Sequence, residues 1–263
     1  MVVQHNLQAA NTNRMLGQNV KAVGKSSEKL ASGYQINRAA DDAAGLSISE
    51  KMRNQIRGIN QSVDNAEDGI SLIQTAEGNL NEMHSILQRM GELANKAAND
   101  VNETEDRTTI SDEIGQLEEE LESIADKAKY NGKSLSNFSG YLQVGANSGD
   151  NMHISVAVTV TVSTTDVSSH TTASATMTAV TDAIKSVSAQ RSTLGAVQNR
   201  LEYTVNNLQN YGENLTAAES RIRDTDMATE MVSYSKNNIL QQAAQSMLAQ
   251  ANQSNQGVLS LLQ

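Results

Sequence analysis

Apolar residues recur at alternating steps of three and four along two long stretches of this chain, residues 1–135 and 183–263, and that spacing breaks off between them. From Ile56 the positions Ile59, Val63, Ala66, Ile70, Ile73 and Leu80 mark a heptad seam, which Glu77 interrupts. Beyond Leu80 the same register would turn His84 and Gly91 inward, whereas Met83, Ile86, Met90, Leu93 and Ala97 carry the apolar atoms. The spacing therefore predicts a one-residue shift of the seam. The run Asn99 to Asp106 is polar and rich in residues that compete with helical backbone bonding, so it reads as a loop. A second helix carries Ile110, Ile114, Leu117, Leu121, Ile124 and Ala128. Its bulky seam residues gain roughly 1.5–3 kcal/mol each on full burial, which requires a partner helix. Tyr130-Asn131-Gly132 reads as the end of that helix, with Gly132 in the left-handed position past a C-terminus. Before all of this, Leu16, Val20, Val23 and Leu30 form a stripe too thin to hold a helix alone.

In the middle the period changes to two. Ile154, Val156, Val158, Val160 and Val162 alternate with Ser and Thr residues and Ala157, the pattern of a strand, and Tyr141-Leu142-Gln143-Val144 can pair with it across Gly145 to Asp150. The prediction is a β-hairpin over about 138–165. Residues 163–178 are mostly Ser and Thr and read as a connection. A last long helix is expected from near Thr181, with Ile184, Val187, Leu194, Val197, Leu201, Leu208, Leu215, Ala218 and Ile222 on one stripe. Beyond Asp226 the apolar positions broaden to Met231, Ile239, Leu240, Ala243, Met247, Leu248, Val258, Leu259, Leu261 and Leu262, which have no internal partner except the thin N-terminal stripe. The fold class that follows is mainly α, with long antiparallel helices in a coiled-coil bundle formed by the N- and C-terminal regions and a small β-hairpin region in the middle.

Composition sharpens this. The chain has no Pro, Cys or Trp and one Phe, where average usage would give about 13 Pro. Uninterrupted helices and an aliphatic core are the consequence. A net charge of −10 argues against nucleic acid, which needs clustered Lys and Arg. No stretch reaches the roughly 18 apolar residues of a membrane span, and the N-terminus lacks a basic region followed by an apolar run, so neither membrane insertion nor a cleaved signal is expected.

Candidate chemistry thins out on inspection. Gly132-Lys133-Ser134 resembles the end of a phosphate loop, but Lys127 stands where the first Gly is needed. Asp100, Asn102 and Thr104 mimic a calcium loop, yet Glu105 replaces its turn Gly and Ser111 its bidentate Glu. His5, His84, His153 and His170 are scattered, and the run Glu118 to Glu120 with Glu122 fits a solvated helix face. No catalytic residue, metal site or cofactor is expected.

Two long motifs at opposite ends carry a resemblance. Leu30-Ala31-Ser32-Gly33-Tyr34-Gln35-Ile36-Asn37-Arg38-Ala39-Ala40-Asp41-Asp42-Ala43-Ala44-Gly45-Leu46-Ser47-Ile48-Ser49 closely resembles the N-terminal signature of bacterial flagellins. Leu194 to Glu202, Glu213 to Ala228 and Ala249 to Gln253 resemble the C-terminal one. The resemblance implies a structural subunit of the flagellar filament, a helical homopolymer located in the secreted, extracellular flagellum and exported unfolded through the flagellar type III pathway. It implies terminal helices, residues 1–45 and 220–263, that line the filament core and order on polymerisation, with 46–219 forming the next layer. The assembly residues would be Leu16, Val20, Val23, Leu30, Ile239, Leu240, Met247, Leu248, Leu259 and Leu262. An export chaperone would cover Ile239, Leu240, Met247 and Leu248, and filament cap and hook-junction proteins would be further partners.

The segment Gln88, Arg89, Glu92 and Leu93, with Glu113, resembles the patch by which flagellins pack along the filament and meet the host flagellin-sensing Toll-like receptor. Gly91 departs from the larger residue usual there, and the Pro common near Ser254 to Gly257 is missing, which should let the last helix continue. The large outer domains of many flagellins have no counterpart in so short a middle. A hook–filament junction protein of the same superfamily and a cytoplasmic helical adaptor are the alternative readings.

Overall fold

The computed structural model of the chain describes residues 6–163 and 165–260, with side chains described as far as Ser254. The elements run α1 (Leu7–Ser32), α2 (Ala43–Ala97), α3 (Thr104–Lys127), β1 (Lys129–Tyr130), β2 (Lys133–Ser134), β3 (Phe138–Gln143), β4 (Asn151–Val156), α4 (His170–Arg223) and α5 (Met227–Ser260). They divide into two compact units, residues up to Asn54 with those from Asn214, and residues 55–213; α2 and α4 contribute to both. Continuation of α5 to Ser260 agrees with the missing Pro. Leu262 lies outside the described residues, as does the side chain of Leu259.

In the 55–213 unit, α2 buries Ile59, Ser62, Ala66, Gly69, Ile73, Ala76, Leu80, Met83, Leu87, Met90, Ala94 and Ala97, an unbroken alternation of three and four. The expected shift after Leu80 does not occur. The buried line runs through Ser62, Gly69 and Ala76, which are small or polar and invisible to a hydrophobicity pattern, while Ile56, Val63 and Ile70 beside it are only half-buried. Small residues on that line let the hairpin and α4 approach. A Cβ added at Gly69 would lie 2.6 Å from Leu142 Cδ2 and 3.4 Å from Leu201 Cδ1, so any side chain there would have to displace the end of Leu142.

The long helices α2 and α4 run antiparallel through this unit. Gly91 faces Val180, the Glu77 carboxylate meets Arg191 Nη2 at 3.4 Å, and Gly69 and Gly212 stand against Leu201 and Ile59 respectively. The residue that interrupted the seam in sequence thus sits at its margin with an ion partner. Helix α3 adds Ile110, Ile114 and Leu121 to the same aliphatic core, and α4 adds Ala173, Val180, Ala183, Val187, Leu194 and Leu201.

Three boundaries differ from the sequence expectation. Asn131 and Gly132 both have positive φ, 46° and 78°, and close a tight hairpin between β1 and β2. Asn-Gly suits that two-residue turn, so α3 ends at Lys127. The β3–β4 ladder stops at the Phe138–Val156 pair. Beyond it Val158 stays buried, its N–H given to Leu135 O at 3.1 Å, but Val160 and Val162 have no ladder partner among the described residues and are only half-buried.

The third difference is at the Ser/Thr-rich connection, whose second half is helix. Ser169 and Thr172 exchange hydrogen bonds between backbone N–H and side-chain oxygen at 2.9 and 3.2 Å, which caps α4 at its start. Ala173, Thr176 and Val180 then continue the buried stripe, with the Thr176 hydroxyl donating to Asp166 O at 2.8 Å.

Candidate functional site: assembly surfaces

The terminal helices α1 and α5 pack on each other, antiparallel, as Lys29 meets Glu230 at 3.7 Å and Asn6 donates to Ala251 O at 3.0 Å. What they turn toward each other is mostly small or polar. On α1 the shielded line is Ala9, Thr12, Leu16, Asn19, Val23, Ser26 and Leu30; on α5 it is Glu230, Tyr234, Asn237, Gln241, Ala244, Leu248 and Ala251. Several large apolar side chains point elsewhere. Leu7 is 76% exposed, Val20 46%, Ile239 66%, Leu240 42% and Met247 55%. Of the residues singled out in the sequence, Leu16, Val23, Leu30 and Leu248 therefore lie in the α1–α5 seam, while Val20, Ile239, Leu240 and Met247 face outward.

An outward apolar face of this kind marks a surface meant to be covered. Because small and polar residues take up much of the seam, its four partly buried Leu and Val side chains supply only modest hydrophobic energy to hold α1 to α5.

The two motifs that carry the resemblance meet in three dimensions. Gly33, at φ 76°, ends α1 in the left-handed conformation, and the chain then pairs Tyr34 with Asp224 in an antiparallel bridge. Gln35 N–H donates to Arg223 O at 2.7 Å and Thr225 N–H to Gly33 O at 2.9 Å. The Arg223 guanidinium lies 4.7 Å from the Tyr34 ring centre and donates to Glu50 at 2.9 Å. Asp226 caps α5 by accepting from the N–H groups of Ala228 and Thr229. Sequence reasoning identified these motifs by resemblance and missed the ion pairs, which join residues far apart in the chain.

Asp41 organises the turn before α2. It accepts from the N–H groups of Asn37 and Arg38 at 3.3 and 3.1 Å and pairs with Lys25 at 2.9 Å. The Lys25 hydrogen bond, then those backbone donors, pull its carboxyl from 3.8 to about 2. Glu50 is also held below its ordinary range, first by its hydrogen bond to Arg223. A carboxyl depressed in the folded state binds fewer protons there than when unfolded. Its contribution is therefore present above pH 3.8 and lost as pH falls through about 2. The difference in melting temperature between wild type and Asp41→Asn is expected to be largest near neutrality and to close between pH 4 and pH 2. A difference independent of pH would contradict this.

The second candidate patch is on α2 and α3. Arg89 donates to Glu113 Oε1 through Nε and Nη2 at 3.1 and 2.8 Å and to Glu92 through Nη1 at 3.3 Å. These carboxylates raise its pKa further. Gln88 is exposed beside His84. Leu93 corrects the expectation: it is 4% exposed, part of the core rather than of the surface patch. Gly91 faces α4, where an added Cβ would lie 3.6 Å from Val180 Cγ1, an ordinary contact. Gly91→Ala is expected to stabilise the chain by about 1 kcal/mol in chemical denaturation, and a loss of stability would show that the helices are closer than described.

Among the described residues no three His, Asp or Glu side chains gather to hold a metal ion, and no helix is long and apolar enough to cross a membrane. Long antiparallel helices whose terminal pair leaves Val20, Ile239, Leu240 and Met247 uncovered have the character of a structural helical protein.

Residues 3–142 match the bacterial flagellin N-terminal helical region and residues 177–262 the bacterial flagellin C-terminal helical region. A flagellin of Halalkalibacterium halodurans is 51% identical, and one of Bacillus subtilis strain 168 is 46% identical, each over the whole of both chains. The flagellar filament 33 kDa core protein of Treponema phagedenis is 44% identical over the same full span. The crystal structure of Bacillus cereus flagellin superposes with a TM-score of 0.52 at 30% identity, covering 59% of this chain and 94% of that one. The chain belongs to the bacterial flagellin family and is a structural subunit of the flagellar filament.

Proposed function

We propose that α1 and α5 line the core of the filament, that residues 55–213 form the layer around them, and that contacts between copies complete the terminal pair. The observation that supports this most is that the pair shields only Leu16, Val23, Leu30 and Leu248 of its large aliphatic side chains and leaves Val20, Ile239, Leu240 and Met247 outside. Apolar surface of that size is stabilised only when neighbouring copies cover it. An open head-to-tail contact between identical chains propagates as a helical filament instead of closing into a ring.

The same reading has the polymer in the extracellular flagellum after export of the subunit through the flagellar type III pathway. Before export, a chaperone covers the outward face of α5 at Ile239, Leu240 and Met247, with Leu248 reached once α5 leaves α1. The exposed set Gln88, Arg89, Glu92 and Glu113 contacts the next copy in the filament and the host flagellin-sensing receptor in the free subunit, while cap and hook-junction proteins meet the ends of the polymer. Support for the patch is its exposure and its preformed Arg89 network.

Seeding purified subunit with sheared filament fragments tests the proposal. Negative-stain electron microscopy is expected to show growth of filaments of uniform diameter. Persistent monomer in the presence of seeds would overturn it.

A further inference from the structure

The 55–213 unit contains a groove of about 700 Å³ between the start of α2, the β3–β4 turn and the later half of α4. Its floor is apolar, from Ile59, Val144, Ala146 and Leu208. Along one wall stand Tyr203, which is 77% exposed, and Arg200, whose guanidinium makes no hydrogen bond or ion pair among the described residues, while the Asp150 carboxylate that also lines the groove is taken up by the N–H and side-chain amide of Asn147 at 3.2 and 3.0 Å. A groove of this size with aromatic walls and one uncommitted cation is a receptor for an apolar knob flanked by a carboxylate.

Such a knob stands at the other end of the same unit. Between α2 and α3 the chain turns through Asn99 to Asn102, and Val101 at its tip is 84% exposed, higher than any other large apolar residue described. It is held rigidly. Val101 N–H donates to Asn99 Oδ1 at 3.3 Å, the Asn102 amide donates to Lys96 O at 2.6 Å, and Arg107 donates to Asn99 O at 3.3 Å and to Asp100 at 3.1 Å. A braced loop loses little entropy on docking. Asp100, with a side chain 80% exposed, keeps its carboxylate open to solvent next to the knob while one oxygen pairs with Arg107. Groove and knob are separated by α2 from Ile59 to Ala97, roughly 57 Å at 1.5 Å per residue.

We infer that the Val101 tip of one copy seats in the Tyr203–Arg200 groove of the next copy, with Asp100 meeting Arg200. This rests on the filament reading above and names the acceptor surface for its head-to-tail contact. Complementary features at opposite ends of one unit form contacts that stack without closing, and each copy added regenerates the same acceptor.

The chain has no Cys, so pairs of introduced thiols report this contact on a clean background. Filaments grown from Val101→Cys/Tyr203→Cys and treated with a short bis-maleimide are expected to give a ladder of covalent oligomers on a denaturing gel, absent from either single variant. Filaments that yield only monomer would overturn the docking while leaving the filament reading intact. Val101→Asp supplies a second readout. Because Val101 is exposed, its monomer is expected to melt with wild type, yet to elongate wild-type seeds at least tenfold more slowly. Elongation at the wild-type rate would overturn the docking, whereas failure of the wild-type chain itself to elongate seeds would overturn the filament reading.

Discussion

Replacing Leu80 by Ala is expected to remove about 2–5 kcal/mol from the stability of the subunit, seen as a lower midpoint in urea unfolding with the slope unchanged. Leu80 is fully buried in the aliphatic core that α2 shares with α3, the hairpin and α4. The chain has few large side chains to fill a void, because it has one Phe and no Trp. Its core is made of Leu, Ile, Val, Met and Ala at coiled-coil spacing, and removing one bulky member leaves a cavity that rigid helices do not collapse. A cost below about 1 kcal/mol would mean that the α2 seam is not the core. Ile70→Ala, on the half-buried line, is expected to cost less than Leu80→Ala.

The second large effect falls on assembly and leaves folding alone. The double variant Ile239→Asp/Leu240→Asp is expected to melt at the wild-type temperature as a monomer, since these side chains are 66% and 42% exposed. On wild-type seeds it is expected to add no detectable length, because two carboxylates would have to be taken out of water at the contact between copies. Growth at the wild-type rate would show that the outward face of α5 is not covered in the filament. The control Gln242→Asp changes charge at an exposed polar position of the same helix and separates repulsion between copies from loss of apolar cover.

Much of this was legible in the chain because helices repeat. The α3 seam of Ile110, Ile114 and Leu121 was identified in sequence and is buried as expected, and the absence of Pro agrees with helices as long as the 55 residues of α2. The positions that misled are those where burial is decided by a neighbour's shape. Gly69 and Ala76 are buried because another element comes close to them, and no hydrophobicity pattern reports that. At the start of α4, Ser169 and Thr172 bond to each other's backbone and so initiate a helix in a stretch whose composition reads as a connection. Asn131-Gly132 carries turn chemistry that suits a hairpin better than a helix end, and only the β2 partner decides between them.

The assembly surface was legible in part. Which end of the chain held unpaired apolar residues could be read directly, but which of them α1 would shield could not, because the shielded line on α5 is mostly polar and small. Leu93 illustrates the same limit in the other patch. It neighbours Glu92 in sequence, yet on a helix adjacent residues point about 100° apart, and Leu93 falls on the buried side.

Amide hydrogen exchange, compared between monomer and filament, tests the central claim most directly. If neighbouring copies complete the α1–α5 pair, residues 7–32 and 227–254 exchange quickly in the monomer and gain strong protection on polymerisation, while the buried amides of 59–97 are protected in both. Equal and strong protection of both terminal helices in the free subunit would contradict the account, since it would mean that the α1–α5 seam holds them without any neighbour.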